Sequence, residues 1–356
     1  MKNKSEKIKV ALIAPSPKNV GGQSVQAQRL LDAFESNENI ELSFIPNNPE
    51  TVFQSIKFVR TIFISIKFWR LLFSRIPKVK IVHIFSSGTT SYIISTLPPF
   101  FVAKLLGKKT ILHYHTGEAE THLKNWKLTA KPTMKHFDKI IVPSQFLVDI
   151  FAEFDLKAEA VSNFVEGEKF KFRERKPLRP IFLSNRNFEA HYQVADILRA
   201  FRLIQNRFAE AKLLIAGTGS EEKSLRELAE ELKLENIEFF GQIEPDEMPK
   251  IYDKADIYLN SSIVDNMPLS FIEAFSCGLP VVSTDAGGIP VICESGETAL
   301  LVAVKDFEAL AREAVRLLEN EDLAQKIITN ARRECEKYSW ENVRGQWLEI
   351  YRKLSE

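Results

Sequence analysis

The sequence predicts an α/β protein of two domains, each a parallel sheet with helices on both faces. Three observations carry that prediction. Short apolar runs alternate with longer helical patterns almost from end to end, and strand–helix–strand repetition of this kind builds parallel sheets. At 356 residues the chain is too long for one ordinary core. Between two series of strands lies Glu166–Pro180, EGEKFKFRERKPLRP, which is charged, proline-punctuated and poor in aliphatics, and reads as a linker. Two facing Rossmann-like domains are the expected architecture.

The first series of strands is Lys9–Ala14, Glu41–Ile45, Ile81–Phe85, Thr110–Tyr114 and Lys139–Pro143. The second is Pro180–Leu183, Lys212–Ala216, Ile237–Phe240, Ile257–Asn260, Pro280–Thr284 and Leu300–Val302. The opening MKNKSEKIKVALIAPSP has too short an apolar run before its prolines for a signal peptide and reads as a first buried strand. Tyr338–Leu354 has a helical pattern, and its Trp340, Trp347 and Tyr351 are expected to pack in a core. Composition is globular, with 45% hydrophobic and 27% charged residues, and a net charge of +1 gives no global field for nucleic acid. Cys277, Cys293 and Cys335 are odd in number and lack metal-ligand spacing, as expected of reduced thiols in a cytosolic protein. No uncharged run approaches the roughly 20 residues needed to span a bilayer.

Asp265–Pro290, DNMPLSFIEAFSCGLPVVSTDAGGIP, carries the most chemistry. Pro268 falls just inside a helix start and Gly278 at its end, the usual places for those residues. Free N–H groups at a helix N-terminus attract phosphate, and the carboxylates of Asp265 and Glu273 accept hydrogen bonds from hydroxyls. Phosphate and hydroxyls side by side describe a nucleotide sugar. The plainer alternative is an ordinary capped αβ unit with surface acids.

With that segment in view, the chain resembles glycosyltransferase family 4, retaining enzymes of the GT-B fold that use nucleotide-activated sugars. The resemblance runs nearly full length and is strongest in the second half. It implies an acceptor domain over 1–170, a donor domain over 171–336, and a C-terminal helix over 337–356 returning toward the first domain. The family's donor signature is an acid, seven residues and a Glu. Here the first acid is Asp265 rather than Glu. Carried over, Asp265 and the backbone of Asn266, Met267 and Pro268 meet the donor hexose. Glu273 takes the ribose hydroxyls, and the amides of Leu269 and Ser270 meet the diphosphate.

LLIAGTGS (Leu213–Ser220) resembles the family's strand and glycine turn, although a bare G-x-G is equally a tight turn. FFGQI (Phe239–Ile243) resembles the loop that holds the base, which implicates Gln242 and Ile243. LSNRNFEAHYQVADILRAF (Leu183–Phe201) matches the segment that normally puts an Arg and a Lys on the diphosphate. Arg186 fits the Arg, whereas His191 and Tyr192 stand near the missing Lys. In the first half, Gly21 and Gly22 lie between the first strand and helix, where backbone without Cβ atoms approaches a ligand closely, and the resemblance turns this loop toward the donor phosphates. The third glycine and distal acid of a dinucleotide fingerprint are absent.

ILHYHTGEAETH (Ile111–His122) holds three His and two Glu without a helix-borne H-E-x-x-H. His113 and His115 alternate at a strand end and share a face. The resemblance makes His115 the catalytic histidine beside the donor sugar, with Asp265 and Arg186 the other catalytic residues, and implies no metal. Glu118 and Glu120 bind an acceptor hydroxyl or cap the next helix. No cofactor is implied beyond a UDP- or GDP-sugar. The expected reaction moves a hexosyl unit to a glycan, lipid-linked or small-molecule hydroxyl. The alternatives are a GT-B-like epimerase or phosphorylase, and a non-catalytic sugar-nucleotide-binding subunit.

Thr51–Ile76 carries five basic residues and no acid. At 100° per residue the bases span an arc of roughly 140° beside a wide apolar face. That pattern suits an interfacial helix touching anionic lipid, or a helix packed on the first sheet with a merely basic outer face. The expected location is cytoplasmic, peripheral at the inner face of the membrane.

Overall fold

The computed structural model describes residues 7–17, 21–51 and 57–356. Residues 18–20 of the glycine loop and 52–56 of the basic stretch therefore lie outside the described residues. The chain divides into two compact units, Met1–Ser162 with Val343–Glu356, and Asn163–Asn342.

The first unit holds a six-stranded sheet in the order β2-β1-β3-β4-β5-β6. Its strands are β1 (Ile8–Ala14), β2 (Ile40–Pro46), β3 (Ile81–Ser86), β4 (Lys109–Tyr114), β5 (Lys139–Val142) and β6 (Glu159–Ala160), all paired in parallel. Runs such as Val10–Ala14 are fully buried because helices cover both faces, which is why they read as continuous apolar stretches. Only β6 escaped the sequence reading, since two residues carry no pattern. The helix Trp340–Ser355 joins this unit from Val343 onward. Trp347 and Tyr351 are buried in it, as their spacing predicts, and Trp340 packs on Phe164 with ring centroids 4.9 Å apart.

The second unit holds a parallel sheet in the order β12-β11-β10-β7-β8-β9. Its strands are β7 (Ile181–Ser184), β8 (Lys212–Ala216), β9 (Ile237–Gly241), β10 (Ile257–Asn260), β11 (Val281–Thr284) and β12 (Leu300–Val302). The stretch read as a linker is part of this unit. Arg173 and Arg179 pair with the buried Asp256 at 2.6 and 2.8 Å. Arg175 is wholly buried and donates to the carbonyls of Ala255, Tyr252 and Cys277. Those carbonyls sit at or just past the C-terminal ends of the helices Met248–Lys254 and Leu269–Cys277, where helices leave acceptors without intrahelical donors. Charged composition suggested solvent, but here three of the charges reach buried partners, and Arg175 is itself buried. The units accordingly meet at 162/163 and 342/343, whereas the sequence placed the boundaries at 170/171 and 336/337.

Candidate functional site

In the second unit, strand order reverses between β7 and β10. Loops leaving the carboxyl ends of parallel strands at such a reversal form the ligand crevice of open α/β sheets. Arg186 leaves β7 and Asp265 follows β10, and the two meet across that point. Arg186 Nη2 donates to Asp265 Oδ2 at 2.5 Å, and Nη1 donates to Ser270 Oγ at 3.2 Å. The guanidinium also lies 4.2 Å over the Tyr192 ring, a favourable cation–π position. Burial opposes the arginine's charge, but Asp265 outweighs it, so the pKa is raised and the group stays charged. Arg186 Nε is buried with no hydrogen-bond partner among the described residues.

Asp265 Oδ1 accepts the Asn266 N–H at 2.8 Å within the loop, so with Arg186 on Oδ2 each of its oxygens has a partner. Asn266 and Met267 turn their side chains inward, 4% and 5% exposed, and Asn163 Nδ2 holds the Met267 carbonyl at 3.1 Å. The helix Leu269–Cys277 begins one residue later than expected. Pro268, with ψ 119°, is its extended N-cap rather than its first turn. The helix ends at Gly278 in the left-handed region, as the sequence predicts. Its first bond is Phe271 N–H to the Pro268 carbonyl, so the Leu269 and Ser270 amides precede the intrahelical ladder.

Glu273 is buried about one turn along this helix, 7% exposed. The Tyr252 hydroxyl donates to its Oε2 at 2.9 Å and lies 3.2 Å from the Ser270 carbonyl. Asn185 Nδ2 donates to the Tyr252 oxygen at 2.9 Å, and Tyr258 donates to Asn185 Oδ1 at 2.7 Å. Tyr252, Asn185 and Tyr258 thus orient Glu273. Sequence reasoning missed all three, since tyrosines on a helix and a strand give no local signal of a shared partner.

Two glycine turns close this end of the sheet. Gly287 has φ +55°, and a Cβ there would run into the Asp265 carbonyl; Gly288 N–H donates to that same carbonyl at 3.0 Å. Gly217, at φ +152°, packs so closely on the Arg186 carbonyl that a Cβ has no room. Its N–H donates to the Gly241 carbonyl at 2.8 Å, which ties the turn after β8 to the loop after β9. There Gln242 is exposed and Ile243 half-buried. His191 is exposed, and its carbonyl accepts the Ile263 N–H at 2.9 Å.

In the first unit, the reversal falls between β1 and β3. Gly21 and Gly22 start the helix Gly22–Phe34 there. Gly21 is extended, and among the described residues no atom lies within 4 Å of where a Cβ would stand at either position. Packing among the described residues does not demand glycine at either one.

His115 follows β4. As the alternation predicts, it shares a face with His113, ring centroids 4.2 Å apart, and Phe85 stacks on it at 5.0 Å. His113 Nδ1 lies 3.2 Å from His83 Nε2, and His83 Nδ1 lies 2.8 Å from the Tyr351 hydroxyl. Burial lowers His83 and His115 to about 3 and His113 well below its usual value. His122 sits apart, its Nδ1 2.9 Å from the Tyr114 hydroxyl, and burial lowers it to about 4. All four are therefore neutral near pH 7. Among the described residues, no group of three or more His, Cys, Asp or Glu is placed to hold a metal.

Glu118 occupies the N-cap position of the helix Ala119–Asn125, but its side chain caps nothing. At ψ 31° the backbone is not extended as a capping residue requires. Glu120 is exposed in the first turn and pairs with Lys124. Both carboxylates face solvent.

Residues 166–334, just under half of the chain, match the family model described as glycosyl transferases group 1. N-acetyl-alpha-D-glucosaminyl L-malate synthase of Bacillus anthracis is 28% identical over 204 residues, covering 54% of this chain and 53% of that protein. The chain spans about half or less of the length of the curated relatives that head the comparison. Among solved structures, Anabaena HepE in complex with UDP and glucose aligns at TM-score 0.76 and 15% identity, over 97% of this chain and 99% of that one. Sucrose-phosphate synthase from Thermosynechococcus elongatus aligns at 0.78 and 18%, over 98% and 99%. The fold is GT-B, and the glycosyltransferase resemblance read from the sequence is borne out.

Proposed function

We propose that this chain, a glycosyltransferase by its family domain over residues 166–334, moves a hexosyl unit from a UDP- or GDP-sugar to an acceptor hydroxyl with retention of configuration. One observation carries the reading. A buried cationic guanidinium, a helix N-terminus and a carboxylate held by Tyr252 converge where the strand order of the second sheet reverses.

The chemistry follows from charge. Breaking the bond to the anomeric carbon leaves negative charge on the diphosphate. Donors already fixed in place stabilise such charge at no reorganisation cost. Arg186 and the amides of Leu269 and Ser270 fill this role, so the proposal needs neither a metal ion nor the missing lysine. Asp265 holds Arg186 in its orientation and meets the hexose together with the backbone of residues 266–268. Glu273 receives the ribose hydroxyls, and the backbone at Gln242 and Ile243 receives the base. By the resemblance, Gly21 and Gly22 face the diphosphate and neutral His115 adjoins the transferred sugar. The leaving diphosphate takes the acceptor proton on the face it departs from, which preserves configuration. Glu118 and Glu120 are the acceptor-side carboxylates, and the acceptor is a glycan or lipid-linked hydroxyl at the cytoplasmic face of a membrane.

UDP-glucose and GDP-mannose incubated with the full chain and a panel of sugar and glycolipid acceptors test this by proton NMR. The expected result is a new anomeric signal of the donor's configuration with release of nucleoside diphosphate. An inverted product, or an epimerised donor with no transfer, would refute it.

A further inference from the structure

The helix Lys57–Arg75 has two apolar faces. Phe68 and Leu72 are buried in the core of the first unit. Ile62, Ile66, Trp69 and Phe73 recur at i, i+4, i+7 and i+11 on another face, and are 44%, 51%, 40% and 54% exposed. The Trp69 and Phe73 rings stack 5.9 Å apart along that stripe. Scattered exposed apolar residues are ordinary, whereas a contiguous row of four large side chains marks an interaction surface. The helix packed beside it, Leu97–Leu105, continues the pattern. With the turn preceding it, that helix exposes Ile94, Phe101 and Leu105 at 60%, 55% and 78%.

Charge identifies what covers the stripe. Between Glu50 and Glu118 the chain has no acidic residue and ten lysines and arginines. Lys and Arg over the whole chain number 48 against 47 Asp and Glu, so the rest of the molecule is acidic and positive charge is segregated here. At 100° per residue Arg70 flanks the apolar stripe, about 70° from its centre, whereas Lys67 and Arg60 fall about 130° and 150° away. Lys67 is committed to the Glu50 carbonyl at 2.9 Å, while Arg60 and Arg70 stand exposed. Among the described residues no helix is long and apolar enough to cross a membrane. An apolar stripe with a basic flank on such a helix is the arrangement of an element that lies in a bilayer interface.

We propose that the first unit docks on an anionic lipid bilayer through the helix Lys57–Arg75, with Ile62, Ile66, Trp69 and Phe73 at the acyl boundary and Arg70 among the headgroups. This rests on the helix itself and stands whether or not the transferase reading holds. Full-length protein is sedimented with vesicles of phosphatidylcholine alone and with about 30% phosphatidylglycerol. The anionic vesicles are expected to carry the protein down, and raising salt from about 0.1 to 0.5 M to release it. R70Q is expected to bind them about fivefold more weakly, the effect of one charge near the surface. I66S/F73S is expected to stay in the supernatant with an unchanged circular dichroism spectrum. Equal binding to both vesicle types, no binding to either, or R70Q binding like wild type would overturn the proposal. So would light scattering that finds a dimer which I66S/F73S makes monomeric, since a second copy would then cover the stripe.

Discussion

Lowering the pH from 8 to 5 should weaken the first unit severely, and the reason lies in its buried histidines. His83, His115 and His122 have pKa values of about 3, 3 and 4, each lowered first by burial. In the unfolded chain they protonate near pH 6.5. Below that point the unfolded state binds protons that the folded state refuses, so stability falls as pH drops from 6.5 toward the folded values, and is fully present above 6.5. At pH 5 each histidine is about 1.5 pH units below its unfolded pKa, which is about 2 kcal/mol. Three together cost about 6 kcal/mol, comparable to the whole stability of a domain. The carboxylates held low in this unit, Asp138, Asp155 and Glu349, lose their contributions only below about pH 4.5, outside this window. Urea unfolding followed by tryptophan fluorescence reads the effect, since Trp69, Trp126 and Trp347 belong to the first unit. The variant H83F should reduce the slope of stability against pH by about 1.4 kcal/mol per unit between pH 5 and 6. Unfolding midpoints equal at pH 8 and 5, or NMR signals of His83, His115 or His122 titrating near 6.5, would refute the reasoning.

Three further outcomes are expected. Arg186→Met removes the fixed positive charge aimed at the leaving group and should lower kcat by about 10²–10³ in steady-state assays, with the chain still folded by circular dichroism. Asp256→Ala strips the carboxylate from Arg173, Arg175 and Arg179 and leaves Arg175 buried without it. Denaturant titration should show a loss of about 3–5 kcal/mol in the second unit. Gly287→Ala forces a Cβ onto the Asp265 carbonyl at positive φ. The displaced loop should abolish nucleotide binding by calorimetry, although residue 287 offers no side chain to a ligand.

Strand positions were legible in the sequence because parallel strands buried on both faces read as unbroken apolar runs. The sheet order is a different matter, since nothing local in β7 announces that β10 lies beside it. Asp265 and Glu273 stood out through proline and glycine placement around one helix. Tyr252, Asn185 and Tyr258 did not, because their common partner is assembled by three separate elements. Arg173, Arg175 and Arg179 were misread for the same reason. A charge run looks solvated until the carboxylate and helix ends that receive it are placed. His83 likewise became visible only when the last helix brought Tyr351 to it.

The most direct test is calorimetry of UDP and GDP, each with its 2′-deoxy analogue, against wild type and Glu273→Ala. The account predicts that wild type binds one ribonucleotide at least tenfold more tightly than its deoxy form. Glu273→Ala should bind both forms equally and as weakly as wild type binds the deoxy form, because the lost contact is the same one. A variant that still favours the ribonucleotide tenfold would contradict the account, placing the ribose away from Glu273.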